Sequence, residues 1–195
     1  MARGRRIHNE IEAFVTGKTE VLPSAAKKTK EIIEFCRDRY AEGKATAEEK
    51  WGFTGDWSIT GWFDGDIWLR LATDCFVSCD NDAAIVFDWK SGKSFGNEVK
   101  LMQQMQLYAC ATLMKHPEIN FVDTKLVFVD DGTIREKHFE RGTKINALIA
   151  RFTERGNRMI NCVDFRPSPN LGNCRYCPYG TMNGTGACMH AVSNL

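Results

Sequence analysis

The stretch Ala84-Ile85-Val86-Phe87-Asp88-Trp89-Lys90-Ser91-Gly92-Lys93 decides the fold. It opens as an apolar run of strand length, bounded by the turn residues Asp80-Asn81-Asp82 before it and Gly92 after it, and so reads as a buried strand. Side chains alternate across a strand, which sends Asp88 and Lys90 off the same face. Two charges on one face at the end of a buried strand are costly unless they serve something. A partly exposed pair on the rim of a sheet is the plain alternative.

Working outward, Ala45 to Lys90 is rich in β-branched and aromatic residues separated by turn signals at Thr54-Gly55-Asp56, Asp64-Gly65-Asp66 and Asp80-Asn81-Asp82. That is the pattern of an antiparallel meander. Asp74 follows Ile67-Trp68-Leu69-Arg70-Leu71-Ala72-Thr73 on the preceding strand, and the turn at Asp80 to Asp82 makes the two strands hairpin neighbours. Upstream, Arg5 to Val15 carries Ile7, Ile11 and Phe14 at helical spacing, with Gly17 as a stop. Ser24 reads as the N-cap of a second helix, Ala25 to Ala41, ended by Gly43. Downstream, Asn97 to Lys115 is helical and stops before Pro117. Phe121 to Val129 and Ile134 to Phe139 form a hairpin around Asp130-Asp131-Gly132, and a last helix spans Thr143 to Arg158. The sum is an α/β, or α+β, fold with a mixed central sheet flanked by helices. The expected organisation is one domain over residues 1–165 and a cysteine-rich tail over 166–195, packed on the same domain.

With 195 residues, 43% hydrophobic, 26% charged and a net charge of +1, the composition is that of an ordinary globular domain. Its apolar runs fall short of the roughly 18 residues a membrane-spanning helix needs. Met1 to Phe14 does not read as a secretory signal, so a cytoplasmic protein is expected. Near-neutral charge argues against a surface that grips polyanions all over, and permits a local basic track beside an acidic centre. Eight cysteines without a signal peptide read as thiols or metal ligands rather than disulfides. Cys36, Cys75, Cys79 and Cys110 lie in apolar segments and read as small buried hydrophobes.

Asp74 and Asp88 on neighbouring strands converge on one divalent cation, because carboxylate-rich sites suit Mg²⁺ or Mn²⁺. Such an ion polarises a phosphoryl oxygen and readies a water, while the Lys90 ammonium orients that water or stabilises developing charge. Gln104 and Tyr108 are four apart on one helix face, and His8 stands one turn before Glu12.

Taken in order, these residues resemble the RecB-type, CRISPR-associated-like exonuclease branch of the PD-(D/E)XK nuclease superfamily. The motifs are Gly4-Arg5-Arg6-Ile7-His8, Leu71-Ala72-Thr73-Asp74, Asp88-Trp89-Lys90-Ser91-Gly92-Lys93 and Gln104-Met105-Gln106-Leu107-Tyr108, and the likeness runs from about residue 4 to 190. The resemblance implies a restriction-endonuclease-like core in which His8, Asp74 and Asp88 hold Mg²⁺ or Mn²⁺ with the backbone carbonyl of Trp89, and Lys90 completes the catalytic set. Gln104 and Tyr108 would lie near the DNA path, with Arg5, Arg6 and Lys93 binding substrate. Leu71 stands where relatives often carry a glycine three residues before the first acid, so Asp64 and Asp66 remain alternatives to Asp74.

Cys174-Arg175-Tyr176-Cys177-Pro178, followed by Cys188, has metal-ligand spacing. In RecB-like exonucleases a similar trio joins a fourth cysteine to hold a four-iron, four-sulfur cluster. Here the fourth ligand is open: Cys36 or Cys162 would complete a cluster, and His190 a Cys₃His zinc site. The expected function is a metal-dependent DNA exonuclease acting on single-stranded ends. Arg3, Lys100, Arg151, Arg155, Arg158 and Arg175 would extend the phosphate track, and Trp57, Trp62, Trp68 and Trp89 offer stacking faces. The alternative is a catalytically silent nuclease-fold DNA-binding or assembly subunit stabilised by the cysteine site. The expected partners are DNA, further copies of the chain, and recombination, CRISPR or phage replication machinery.

Overall fold

A computed structural model describes residues 2–92, 94–164 and 166–192. The elements in chain order are α1 (Ala2–Val15), a 3-10 helix (Ser24–Thr29), α2 (Lys30–Ala41), β1 (Ala45–Phe53), β2 (Ile59–Thr60), β3 (Leu69–Cys79), β4 (Ala83–Lys90), α3 (Glu98–Lys115), β5 (Phe121–Phe128), β6 (Thr133–Glu140), α4 (Thr143–Ile160) and α5 (Leu171–Arg175). Two compact units form, Met1–Asn157 and Arg158–Leu195, with the boundary inside α4. No helix among the described residues is long and apolar enough to cross a membrane.

The first unit is a six-stranded sheet in the order β2-β1-β3-β4-β5-β6. Every pair is antiparallel except β4 with β5, which run parallel. A parallel pair needs a long crossover, and α3 supplies it. The β3–β4 hairpin turns through the three residues Asp80, Asn81 and Asp82, with Asn81 and Asp82 in the left-handed region at φ 61° and 54°. Alternation on β4 splits the core into two layers. Ala84 and Val86 pack with Trp51, Phe53, Met105 and Leu113 on the α3 side, while Phe87 and Trp89 pack with Ile7, Ile11 and Ile33 on the α1 and α2 side. Full burial of each large apolar side chain contributes roughly 1.5–3 kcal/mol, so Ile7, Ile11, Phe14 and Val15, all buried, pin α1 to the sheet.

Two local expectations change. The second helix begins as the 3-10 segment Ser24–Thr29, and α2 proper starts only at Lys30. Ser24 is not its cap: Pro23 precedes the 3-10 segment with no side-chain cap bond, and Thr29 Oγ1 turns back to the Ala26 carbonyl at 3.1 Å. In the tail, Asn170 accepts the Asn173 N–H at 2.8 Å and starts the short helix α5 where an irregular segment is expected.

Candidate active site

The site forms where two central strands part. β3 and β4 pair from Cys79↔Ala83 only as far as Cys75↔Phe87. Asp74 is the next residue of β3, and its carboxylate takes the Trp89 N–H that the ladder leaves free: Oδ2 accepts it at 2.6 Å. The other oxygen, Oδ1, meets His8 Nδ1 at 3.1 Å. The hydrogen bond to Asp74 raises the His8 pKa against the opposing effect of burial, and the charges of Asp74, Asp88 and Glu48 add to the rise.

Helix α1 carries His8 to this point because its first turn lies close over the segment after β4. A Cβ on Gly4 would sit 3.0 Å from Ser91 Oγ. Arg3 pairs with Asp130 at 2.6 Å, and Asp130 also accepts the Gly92 N–H at 2.9 Å. The glycine of the Gly-x-x-x-His pattern thus has a steric reason.

Asp88 leaves β4 on the α3 side and is 5% exposed. Its Oδ1 accepts the Tyr108 hydroxyl at 2.7 Å and Gln104 Nε2 at 2.9 Å, which accounts for the four-residue spacing of that pair on α3. Its Oδ2 is paired with Lys90 Nζ at 2.6 Å. Burial, then repulsion from Asp74, holds the Asp88 carboxyl above the usual range despite Lys90 and Tyr108. Burial and the Asp88 charge likewise raise the Tyr108 hydroxyl.

Glu48 is the residue that sequence reasoning missed. It lies on β1 at φ 51°, and its carboxylate, His8 and Asp74 each place one donor atom so that all lie within 4.8 Å of one another. Burial and then the Asp74 charge push its pKa up, while His8 opposes the rise. Two consecutive acids in a strand, Glu48-Glu49, were the available signal, since one must face each side. A hard divalent cation fits these donors: two carboxylates and an imidazole come together, and the charge of the buried Asp88 acts on both His8 and Asp74.

The structure thus gathers His8, Asp74, Asp88, Lys90, Gln104 and Tyr108 in one neighbourhood. Arg5 lines an open groove with Gly4, His8, Asn9 and Glu48, and Arg6 is exposed with Glu10 at 3.7 Å. Lys93 lies outside the described residues. Glu12 bonds Lys18 at 2.8 Å rather than His8. Asp64 is held by Thr60 and the Gly61 N–H, and Asp66 faces Thr60 at 3.3 Å, so both serve the loop after β2.

In the second unit, Cys174 is buried and Cys177 and Cys188 are half-buried. The backbone folds tightly around them: Gly180 N–H reaches the Cys177 carbonyl at 3.0 Å, and Cys188 N–H the Tyr179 carbonyl at 2.9 Å. A Cβ on Gly180 would sit 2.5 Å from the Cys174 carbonyl, so only glycine fits. Among the described residues the three sulfurs are not drawn within 4.8 Å of one another as the His8 group is. Cys36 is fully buried in the first unit's core together with Cys75, while Cys162 Sγ lies 3.3 Å from the Asp164 carbonyl and His190 is exposed.

A mixed sheet whose parted central strands present two acids and a lysine, with a helical histidine on one side and a Gln–Tyr pair on the other, defines a metal-dependent nuclease core. The chain matches the PD-(D/E)XK nuclease superfamily over residues 5–182, and it belongs to that superfamily. No curated protein matches it. Among solved structures, the crystal structure of SSO0001 is similar at 15% identity and a TM-score of 0.40, over 97% of this chain and 82% of that one.

Proposed function

We propose that this chain is an Mg²⁺- or Mn²⁺-dependent DNA exonuclease of the RecB-type branch, working on single-stranded ends. The observation that carries the hydrolytic part is the continuous network from His8 through Asp74 to the Trp89 peptide, beside Asp88 held by Lys90, Tyr108 and Gln104. His8, Asp74, Asp88 and the Trp89 carbonyl would hold the cation, which when bound polarises a phosphoryl oxygen and lowers the pKa of water. Tyr108 and Gln104 lock Asp88 Oδ1 and so fix the plane of the carboxylate. Lys90 Nζ neutralises Asp88 at rest and is placed to orient the attacking water and stabilise charge on the phosphoryl oxygens. Water gives up a proton to solvent as its oxygen bonds to phosphorus, the bond to the leaving oxygen breaks, and that oxygen takes up a proton in exchange.

The preference for unpaired DNA draws on Trp62. Trp57 and Trp89 are 3% and 2% exposed and belong to the core. Trp62 is instead half-buried between Lys50 Nζ at 5.6 Å and the Arg70 guanidinium at 5.9 Å, beside an exposed Phe63. Aromatic faces flanked by cations suit stacked bases and their phosphates. In the second unit, Cys174, Cys177 and Cys188 with Cys162 or His190 are proposed to hold a structural iron-sulfur cluster or zinc ion. The proposed setting is cytoplasmic replication, recombination or repair, phage-encoded or CRISPR-linked, as a homo-oligomer or within a larger machine.

The experiment is a gel assay of purified protein on end-labelled single- and double-stranded DNA with Mg²⁺, Mn²⁺ or EDTA, and Lys90→Ala alongside. Metal-dependent shortening from single-stranded ends, lost in the variant, is the expected result. DNA binding without cleavage under either metal would replace the enzyme with a nuclease-fold binding or assembly subunit.

A further inference from the structure

We propose that Glu48 is a direct ligand of the divalent cation, seated with His8 and Asp74 on the α1 side of the nuclease centre. This rests on the metal-dependent reading above and adds a carboxylate outside the motifs that carry it.

The pairing of β1 with β3 runs from Ala45↔Val77 to Phe53↔Leu69 with one gap, where Glu48 stands opposite Asp74. The register is the same on both sides of the gap, so no residue has been inserted. Glu48 itself breaks the ladder, with a φ of 51° that non-glycine residues seldom adopt. Its effect is to reverse the facing of β1: Ala45 belongs to the core on the α1 and α2 side, whereas Trp51 and Phe53, of the same parity, belong to the core on the α3 side. A strained residue at the point of reversal brings its carboxylate to His8 and Asp74.

Only the charges of His8 and Lys50 favour the ionised form of that carboxylate. Among the described residues Glu48 has no hydrogen bond and no ion pair, whereas its neighbour Glu49 bonds Thr46 at 2.7 Å and meets Lys115 at 3.3 Å. A second acid beside Asp74, without a donor, is unfavourable unless a cation joins them. The spacing agrees. Ligands at about 2.1 Å from Mg²⁺ stand about 3 to 4.2 Å apart, and the three donor atoms here all lie within 4.8 Å of one another, close enough for one cation to draw them together. Asp88, 5% exposed, is already engaged, Oδ1 by Tyr108 and Gln104 and Oδ2 by Lys90 Nζ at 2.6 Å. The open, oxygen-rich side of the centre is therefore the His8 side.

The test is Mn²⁺ titration of the EDTA-stripped full chain, followed by electron paramagnetic resonance and calorimetry, for wild type, Glu48→Gln and Glu48→Gly. Glu48→Gln keeps shape and removes charge; Glu48→Gly also relieves the backbone, so one of the two remains folded. The expected result is a loss of Mn²⁺ affinity of about tenfold or more in both, because affinity follows ligand charge, with unfolding temperatures at or above that of the wild type. Affinity within about threefold of wild type in a folded variant overturns the proposal. If the wild type then still cleaves DNA, the nuclease reading stands and Glu48 alone is removed from it. If the wild type binds no Mn²⁺, both fall.

Discussion

Asp74 closes the gap between β3 and β4 with its side chain: Oδ2 accepts the Trp89 N–H at 2.6 Å, one residue beyond the last paired position, Cys75↔Phe87. The first acid therefore ties the backbone of Trp89 to β3, and charge and geometry at this residue can be separated by mutation. Asp74→Asn keeps an oxygen for the Trp89 N–H, so it should fold with nearly unchanged stability yet lose metal binding and cleavage. Asp74→Ala removes the acceptor as well and leaves a backbone donor unpaired, which costs about 1–3 kcal/mol. Urea denaturation of both variants in EDTA checks the difference; equal stabilities would show that the bond does not hold the strands.

Lys90→Ala should reduce cleavage by at least about a hundredfold, the scale on which losing one charge-stabilising donor acts, while DNA binding measured by fluorescence anisotropy with Ca²⁺ is largely retained. The same change leaves Asp88, which is 5% exposed, without its cation. Near-wild-type turnover would remove Lys90 from the chemistry.

The metal-free protein should respond to pH through Asp88 and His8 with one sign. The Asp88 pKa is raised on folding by burial and by Asp74. Its charged form therefore destabilises the fold, and stability falls as pH rises from the unfolded value, about 3.9, through the raised one. The His8 pKa is raised by Asp74, so its contribution is fully present below about 6.5 and is lost as pH rises through the folded value. In EDTA the melting temperature should thus fall between pH 5.5 and 8, and Asp88→Asn should flatten part of that fall. Mg²⁺ should restore stability at the alkaline end. A melting temperature that rises with pH in EDTA would contradict both shifts.

The core of this site was legible in the sequence because it depends on periodicity. Asp88 and Lys90 share a face by strand alternation, Gln104 and Tyr108 by helical spacing, and Asn81-Asp82 supplies the left-handed pair that makes Asp74 and Asp88 neighbours. Glu48 was only half legible: the Glu48-Glu49 pair puts one acid on each side of a strand, but a left-handed glutamate reverses the alternation that reveals the others. Ser24 misled for the opposite reason, because a good cap residue after Pro23 starts a 3-10 segment with no cap bond. The cysteine spacing marks a candidate ligand set, but spacing does not say which fourth donor completes it.

Gly4 tests whether α1 positions His8 through its close approach to Ser91. Glycine inside a helix is unfavourable by about 1 kcal/mol relative to alanine, so Gly4→Ala should strengthen α1 in isolation. In the folded chain its Cβ meets Ser91 Oγ at 3.0 Å, and the helix or the serine must give by a few tenths of an ångström. Gly4→Val enlarges the conflict and should displace His8, which sits one turn further on and contacts Asp74 at 3.1 Å. The expected outcome is weaker Mn²⁺ binding and slower cleavage for Gly4→Val at little loss of thermal stability, since Ile7, Ile11 and Phe14 remain buried. Ser91→Ala should return part of the activity to Gly4→Val, because it removes the nearest atom in conflict. Full activity in Gly4→Val would mean that the helix tolerates a side chain here and that His8 is positioned by the apolar face of α1 alone.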